Sequence, residues 1–436
     1  MSKENKLIPE LRFPEFKNEG EWKESLLGSE AEIKGRIGYR GYTVADIVEK
    51  GKGAITLSPS NFDENGRLKF EKCTYITWEK YEESPEIMLE IGQTVLVKTA
   101  SVGKTAYVES LPEKATVNPQ IVVLKPKKIF NRFLANSVAH QNTQIQINNC
   151  VGAGAIPNIS QEIISKLKIL VPPDLERKEQ QKIASCISSL DEVIAAHSQK
   201  LDILKDHKKG LMQNLFPQEG EKVPKYRFKE FENMGEWIET VIGSVVEMKG
   251  RIGYRGYTTE DIVNKGKGAI TLSPSNFDAN GQLNFDKCTY ISWAKYEESP
   301  EIQLEEGQTV LVKTASVGKT AYVDILPEKA TVNPQIVVLK PNKIHNKFLS
   351  YTIAHPNTQS QINNCVGAGA IPNISQEIIS KIKIILPPDI KEREQQKIAL
   401  CLSSLDTLIT TQAEKIEKLK LHKKGLMQGL FPKIID

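Results

Sequence analysis

The stretch Gly92–Val108, GQTVLVKTASVGKTAYV, returns letter for letter at Gly307–Val323. Working outward from it, Trp22 recurs as Trp237, Cys73 as Cys288, Trp78 as Trp293, Cys150 as Cys365 and Gly210 as Gly425, each pair 215 residues apart with no insertion or deletion between them. KGRIGYRGYT fills Lys34–Thr43 and Lys249–Thr258, GKGAITLSPSNFD starts at Gly51 and Gly266, and INNCVGAGAIPNISQEIISK starts at Ile147 and Ile362. A period of that length is far beyond the roughly 20–50 residues of a solenoid, so each copy is a domain-sized unit. The 436 residues admit about two to four domains. Hydrophobic content of 39% and charged content of 26% place the chain among folded globular proteins. The opening MSKENKLIPE has no apolar leader core, and no run approaches the ~18 apolar residues of a spanning helix. A cytoplasmic protein with no membrane partner is therefore expected. A net charge of +4 permits nucleic-acid binding without arguing for it.

Each copy divides in two. Its first part mixes short strands and short helices, an α/β reading. Ala54–Leu57 and Leu68–Phe70 flank Asn65-Gly66, which predicts a hairpin. Gln93–Thr99 and Thr116–Leu124 are β-branched runs expected as buried strands, and Phe130–His140 reads as an amphipathic helix. Thr43 with Asp46 predicts a helix start and Gly51 its stop. Each copy carries three cysteines and no CxxC, so a disulfide framework closed within a copy and zinc-type spacing are both excluded; buried, unpaired thiols are expected.

At Pro172-Pro173 the character changes. From Asp174, an N-cap, the apolar positions Ile183, Ile187, Leu190, Ile194, Leu201, Leu204, Leu211 and Leu215 alternate steps of four and three, interrupted at His197 and Lys208. The second copy repeats the pattern with Ile398, Leu402, Leu405, Ile409, Ile416, Leu419, Leu426 and Leu430, interrupted at Gln412 and Lys423. This is a heptad seam, and ~40 residues of it make a rod of ~60 Å. Its nearest partner is the matching seam of the other copy. The expected organisation is α+β: α/β domains over 1–173 and 226–388, long helices over 174–216 and 389–432 forming an antiparallel intramolecular coiled coil with pseudo-twofold symmetry, and a polar linker over 217–225.

Catalytic motifs fail one by one. Ser101-Val102-Gly103-Lys104-Thr105 ends like a phosphate-binding loop, but Lys98 stands where that loop needs its first glycine, and a strand follows where a helix should. Asn118-Pro119-Gln120-Ile121 matches only two of four places in the Asn-Pro-Pro-aromatic motif of adenine methyltransferases. Pro173-Asp174 with Glu176-Arg177-Lys178 has a nuclease motif's letters at too short a spacing, and the second copy reads Glu392-Arg393-Glu394. His140 and His355 fall on a helix as structural groups, and His197 has Gln412 as its counterpart. A non-enzyme with no catalytic or metal site of its own is expected.

Binding chemistry concentrates elsewhere. Lys34, Arg36, Tyr39, Arg40 and Tyr42 make a basic, aromatic, glycine-interleaved loop, repeated as Lys249, Arg251, Tyr254, Arg255 and Tyr257. Arginine forks onto guanine or phosphate, and tyrosine packs on sugars or bases. Ser58, Ser60, Asn61, Lys98, Ser101, Lys104, Thr105, Asn118 and Gln120 join them as candidates, with Ser273, Ser275, Asn276, Lys313, Ser316, Lys319, Thr320, Asn333 and Gln335 in the second copy. Asn and Gln can pair bidentately with adenine, whereas Asn118 can equally cap a turn before Pro119.

Several of these stretches are similar to one family. LRFPEF…GEW…LG at Leu11–Gly28, the Gly92–Lys104 segment, IPNIS at Ile156–Ser160, ILVPP at Ile169–Pro173, EQQKIA at Glu179–Ala184, SSLD at Ser188–Asp191 and KKGLMQNLF at Lys208–Phe216 resemble the specificity (S, HsdS) subunit of Type I restriction–modification systems, and the second copy ends on KKGLMQGLFP at Lys423–Pro432. The resemblance implies two target-recognition domains, each reading one half of a bipartite double-stranded DNA site, held apart by helices that set the spacer. It implies a non-catalytic chain that binds no cofactor itself. Its partners would be two modification subunits using S-adenosylmethionine and two restriction subunits using ATP and Mg. Because the candidate loops are identical in the two copies, the half-sites are expected to be inverted repeats. Arg67/Gln282, Lys69/Asn284 and Phe130/His345 are then candidates for tuning one half-site. A non-DNA scaffold with duplicated interaction modules is the alternative, and a stand-alone nuclease or methyltransferase a weaker one.

Overall fold

The computed structural model describes residues 7–35, 41–151, 156–173, 176–250, 256–278, 281–367, 371–388 and 392–433. Each copy builds the same three sheets. In the first copy the strands are β1 (Lys23–Leu26), β2 (Ala31–Lys34), β3 (Ile47–Val48), β4 (Gly53–Leu57), β5 (Thr74–Thr77), β6 (Thr94–Val97), β7 (Thr105–Tyr107), β8 (Ala115–Val117), β9 (Ile121–Pro126) and β10 (Lys168–Val171). One four-stranded sheet has the order β2-β9-β6-β7 and is antiparallel throughout. The other runs β3-β5-β4-β8 with β4 and β8 parallel, and β1 pairs with β10 alone.

The unbroken apolar runs of β6 and β9 follow from burial on both faces. Val95, Val97, Ile121 and Val123 point into the core between the two large sheets. Leu96, Val122 and Leu124, one residue out of phase, point to the opposite core with Trp22, Phe133 and Ile147. That second core is closed by α1 (Asn131–Ala139), α2 (Gln141–Cys150), α3 (Gln161–Lys166) and the long helix α4 (Lys178–Leu215).

Several local expectations need correction. Thr116–Leu124 is two strands in different sheets, because Asn118-Pro119-Gln120 turns the chain between β8 and β9. The hairpin partner of β4 is β5, and across Asn65-Gly66 only the isolated bridge Phe62–Leu68 forms. Thr43 does cap with Asp46, but the helix is a single 3-10 turn, Val44–Asp46, after which the β-branched Ile47 and Val48 pair with Ile76 and Tyr75. All six cysteines are unpaired, but Cys150 and Cys365 are exposed and the others half-buried, so the buried-thiol reading fails.

The second copy repeats the elements 215 residues on, ending in the long helix α5 (Arg393–Leu430). The compact units cut across the expected spans 1–173, 174–216, 217–225, 226–388 and 389–432: one unit takes residues 1–198 and 414–436, the other 199–413. Each therefore holds one α/β domain, the first part of its own long helix and the last part of the other one.

Within the first unit, Ile183, Ala184 and Ile187 of α4 share a core with Leu426 and Leu430 of α5, and Lys423 Nζ meets Asp191 Oδ1 at 2.6 Å. The numbers fall on α5 as they rise on α4, so the two segments run antiparallel. The second unit repeats this with Met212 and Leu215 against Ile398, Ala399 and Leu402, and with Lys208 Nζ 2.6 Å from Asp406 Oδ1. Every seam position is buried or half-buried. The lysines that interrupt the seam meet an aspartate of the antiparallel partner, which ties each pair to one register.

Two further contacts explain the EQQ motif at the start of each long helix. Arg12 forks onto Glu179 through Nε and Nη2, both at 2.8 Å, and Phe130 N donates to Gln180 Oε1 at 2.8 Å. Arg227 on Glu394 and His345 N on Gln395 repeat them. At 1% exposure Glu179 is a buried carboxylate, and it is held by a bidentate guanidinium.

Candidate nucleic-acid interface

The strand ends of each copy converge on one rim, and a chain of backbone hydrogen bonds ties its loops together. Asn118 N donates to Leu57 O at 2.8 Å, joining the ends of β8 and β4. Lys98 N donates to Gln120 O at 2.7 Å, joining the end of β6 to the start of β9. Ile159 N donates to Lys98 O at 2.9 Å and Ala100 N to Pro157 O at 2.8 Å, pinning the 156–159 segment beside them. Gln161 Nε2 then reaches Gly35 O at 3.2 Å, which brings in the end of β2. The second unit repeats the chain through Asn333–Leu272, Lys313–Gln335, Ile374–Lys313 and Ala315–Pro372. Ala100 and Ala315 hold φ of 66°, a left-handed conformation that non-glycine residues seldom adopt, at the tip of this arrangement.

The rim gathers some of the expected residues and not others. Lys98 and Gln120 are half-buried on it, and Ser60 and Ser101 are exposed; Lys313, Gln335, Ser275 and Ser316 match them. Ser58 and Ser273 are half-buried N-caps whose hydroxyls lie 2.7 and 2.8 Å from those of Ser60 and Ser275. Lys34 and Lys249 end β2 and its counterpart, each paired with a glutamate two residues back at 2.8 and 2.6 Å. That hydrogen bond raises the Lys34 pKa and lowers that of Glu32. Tyr42 and Tyr257 are half-buried against small clusters containing Tyr81 and Tyr296. Arg36, Tyr39, Arg40, Arg251, Tyr254 and Arg255 lie outside the described residues, as does Asp174.

Three pairs of candidates are engaged by hydrogen bonds within the fold. Asn61 is 4% exposed; its Oδ1 accepts from Ser58 N and its Nδ2 donates to Lys69 O, so it shapes the loop. Asn276 does the same. Asn118 and Asn333, each 7% exposed, accept from the backbone N of Gln120 and Gln335, the turn-capping alternative. Thr105 and Thr320 donate to Gly103 O and Gly318 O at 2.9 Å, and Thr320 is buried. In the first unit Lys104 and Thr105 line a cavity of about 740 Å³ with Asp63, Asp191, Lys420 and Lys424, so they face the helix segments.

Two of the three tuning pairs also have structural roles. Arg67 Nη2 donates to Asp191 O at 2.7 Å and Gln282 Nε2 to Thr410 Oγ1 at 3.1 Å, each fastening its turn to a long helix. Phe130 and His345 are N-caps of equivalent helices. Lys69 is exposed on the same turn as Arg67.

His140 and His355 are not within a helix but at the junction of two, 6% and 4% exposed. Nδ1 of each accepts the N–H two residues on, and the rings stack on Phe431 and Phe216 at 4.6 and 5.0 Å. Burial pushes both imidazoles down to about 4, which suits a neutral packing group. Among the described residues no group of three or more His, Cys, Asp or Glu is placed to hold a metal, and no helix is long and apolar enough to cross a membrane.

Comparison with known proteins places this geometry. The family model for the type I restriction modification DNA specificity domain matches residues 38–206 and again 234–421. A putative type I restriction enzyme specificity subunit of Methanocaldococcus jannaschii, MjaX, is 25% identical over 377 residues, 84% of each chain. The crystal structure of a type I restriction–modification S subunit from M. genitalium superposes with a TM-score of 0.59 at 14% identity, covering 98% of this chain and 100% of that one. A chain from a structural study of complex assembly and conformational transition in the type I system superposes at 0.53 and 14% identity, covering 95% of this chain and 98% of that one. The two family matches together span most of the sequence. The chain belongs to the type I restriction–modification DNA specificity family, whose members are non-catalytic and distinct from the modification and restriction subunits.

Proposed function

We propose that each unit reads one half of a bipartite double-stranded DNA site with its strand-end rim, and that the two half-sites are inverted repeats. The observation that carries this is where the copies differ. At 57–63, 97–105, 114–126 and 156–161 every residue is the same in the counterpart 215 positions on, including the exposed Ser60, Ser101 and Asn158. Exposed positions of the long helices are mixed: Asp202/Glu417, Ile203/Lys418 and Asp206/Leu421 differ, whereas Lys182/Lys397, His207/His422 and Lys209/Lys424 are kept. On the rim segments no position differs at all, and two identical readers take identical half-sites. Lys98 and Lys313 supply phosphate contacts, while Gln120, Gln335 and the serines supply hydrogen bonds to base edges or sugars.

In this reading the long helices set the spacer and dock two modification subunits, which bring S-adenosylmethionine; two restriction subunits bring ATP and Mg, and the chain itself binds no cofactor. The assembly works in the cytoplasm. Mapping methylated adenines in DNA exposed to this chain with its modification subunits tests the proposal. Reverse-complementary half-sites around a fixed gap are expected, and two unrelated half-sites refute it.

A further inference from the structure

One apolar side chain stands out on this polar rim. Ile156 is 65% exposed and Ile371 is 66% exposed. Among the described residues, the other large apolar side chains above 60% exposure are Val44, Ile91, Ile325, Leu400 and Leu421. Their counterparts are Thr259, Glu306, Ser110, Ser185 and Asp206, so at each of these positions the other copy has a polar residue. Above 60% exposure, only the isoleucine at 156 and 371 is kept in both copies among the described residues; Ile47/Ile262, Trp78/Trp293 and Ile163/Ile378 are kept too, but each is less than half exposed. Isolated exposed apolar residues need no explanation, but one retained where its peers were exchanged does.

The segment that follows holds it firmly. Pro157 O accepts from Ala100 N, Thr99 bridges Asn158 with a 2.8 Å side-chain hydrogen bond, and Ile159 N donates to Lys98 O. The isoleucine thus projects from a segment pinned to the strand end that carries the cationic Lys98 and Ser101, and little freedom is lost on binding. A β-branched hydrocarbon flanked by a phosphate-binding lysine matches a duplex, whose one apolar base-edge group is the C5-methyl of thymine in the major groove.

Resting on the rim being the DNA interface, we propose that Ile156 and Ile371 are specificity-determining residues that pack on a thymine methyl, one in each half-site. The test uses the complex of the full chain with its modification subunits and DNA carrying the mapped site. Deoxyuridine, which lacks the methyl, replaces each thymine in turn. For the wild type, one substitution per half-site should weaken binding by roughly fivefold. Ile156→Ala should lose about as much on normal DNA and become indifferent to deoxyuridine at that one position in one half-site, with unchanged response in the other; Ile371→Ala should mirror it. Melting curves of both variants should match wild type, since the side chain lies in solvent.

Full affinity in Ile156→Ala overturns the proposal. A loss that persists equally on thymine and deoxyuridine DNA also overturns it, pointing to a wedge between base steps or a protein contact. Lys98→Ala separates the two levels. If it weakens binding while Ile156→Ala does not, only the isoleucine assignment fails; if neither does, the rim is not the DNA interface.

Discussion

Asp191→Ala and Asp406→Ala remove the same carboxylate from equivalent ion pairs, yet they should not cost the same. The side chains of Asp191 and Lys423 are 14% and 21% exposed, and those of Asp406 and Lys208 18% and 20%. Stripping the partner from a fully buried charge costs about 3–5 kcal/mol. With part of each lysine still in water, about 2–3 kcal/mol is expected for Asp191→Ala. Asp406 holds a second group: the Tyr351 hydroxyl donates to its Oδ2 at 2.6 Å, and Tyr351 is 6% exposed. Burial and this carboxylate both push the phenol pKa up, so the tyrosine stays a donor. The equivalent residue is Asn136, whose Nδ2 is buried without a hydrogen-bond partner. Leaving the phenol unpaired adds about 1–2 kcal/mol to Asp406→Ala.

For units of this size, 1 kcal/mol shifts Tm by about 2–4 °C. Asp191→Ala should therefore lower the transition of its unit by about 4–12 °C, and Asp406→Ala should lower its own by about a further 2–8 °C. Scanning calorimetry gives the transitions, and hydrogen exchange over 178–198 and 199–215 assigns each to a unit. A Tyr351→Phe background should erase the difference between the two variants. Equal losses in the wild-type background, or a difference that survives Tyr351→Phe, would refute the reasoning.

Other outcomes follow from the same contacts. Phe431 stacks on Phe133 and His140 at 5.3 and 4.6 Å and meets Trp22 edge-on, so Phe431→Ala should cost the first unit about 3–5 kcal/mol, with Phe216→Ala doing the same to the second; paired denaturation curves would check it. His140 and His355 fall from 6.5 unfolded to about 4 folded, so the unfolded chain binds more protons between those values and stability rises with pH across that window. Each should forfeit about 2 kcal/mol by pH 5, and His140→Gln should flatten the pH dependence of Tm for the first unit. Lys98→Ala together with Lys313→Ala should reduce the slope of log binding constant against log salt by about two, measured by fluorescence anisotropy at several salt concentrations. A Cβ at Gly210 or Gly425 meets nothing within 4 Å, so alanine at either mid-helix position should add about 0.5–1 kcal/mol of stability by thermal melting.

Features carried by repetition and by helical period were legible in the residues. The 215-residue offset, the seam from Ile183 to Leu215 and the amphipathic Phe130–His140 segment all correspond to structure, because a helix writes its buried face into the local sequence. Strand partners were not. Nothing local says that β4 passes over the nearby turn to pair with β5, since pairing is decided by distant packing. The rim was half legible: Lys98 and Ser101 reach it, but Asn61 and Asn118 have the letters of base readers while their amides are engaged by neighbouring backbone and, for Asn118 Nδ2, by the Gln120 side chain. The individual roles of Glu179 and Ile156 are not legible in the stretches that contain them, because one has the letters of a solvated helix charge and the other of an ordinary loop hydrophobe; burial, and comparison of the two copies, distinguish them. The compact units were hidden altogether, because Phe431 lies 409 residues beyond the Trp22 it packs on.

That last arrangement sets an order of events on the ribosome. Every residue of the second unit, 199–413, is synthesised before the segment that completes the first, 414–431. The domain translated first must therefore wait with Trp22, Phe133 and His140 uncapped until Phe431 emerges, while the domain translated second can close as soon as it is made. A chain that stopped after residue 413 would keep its later half intact and leave the earlier half exposed to chaperones and proteases.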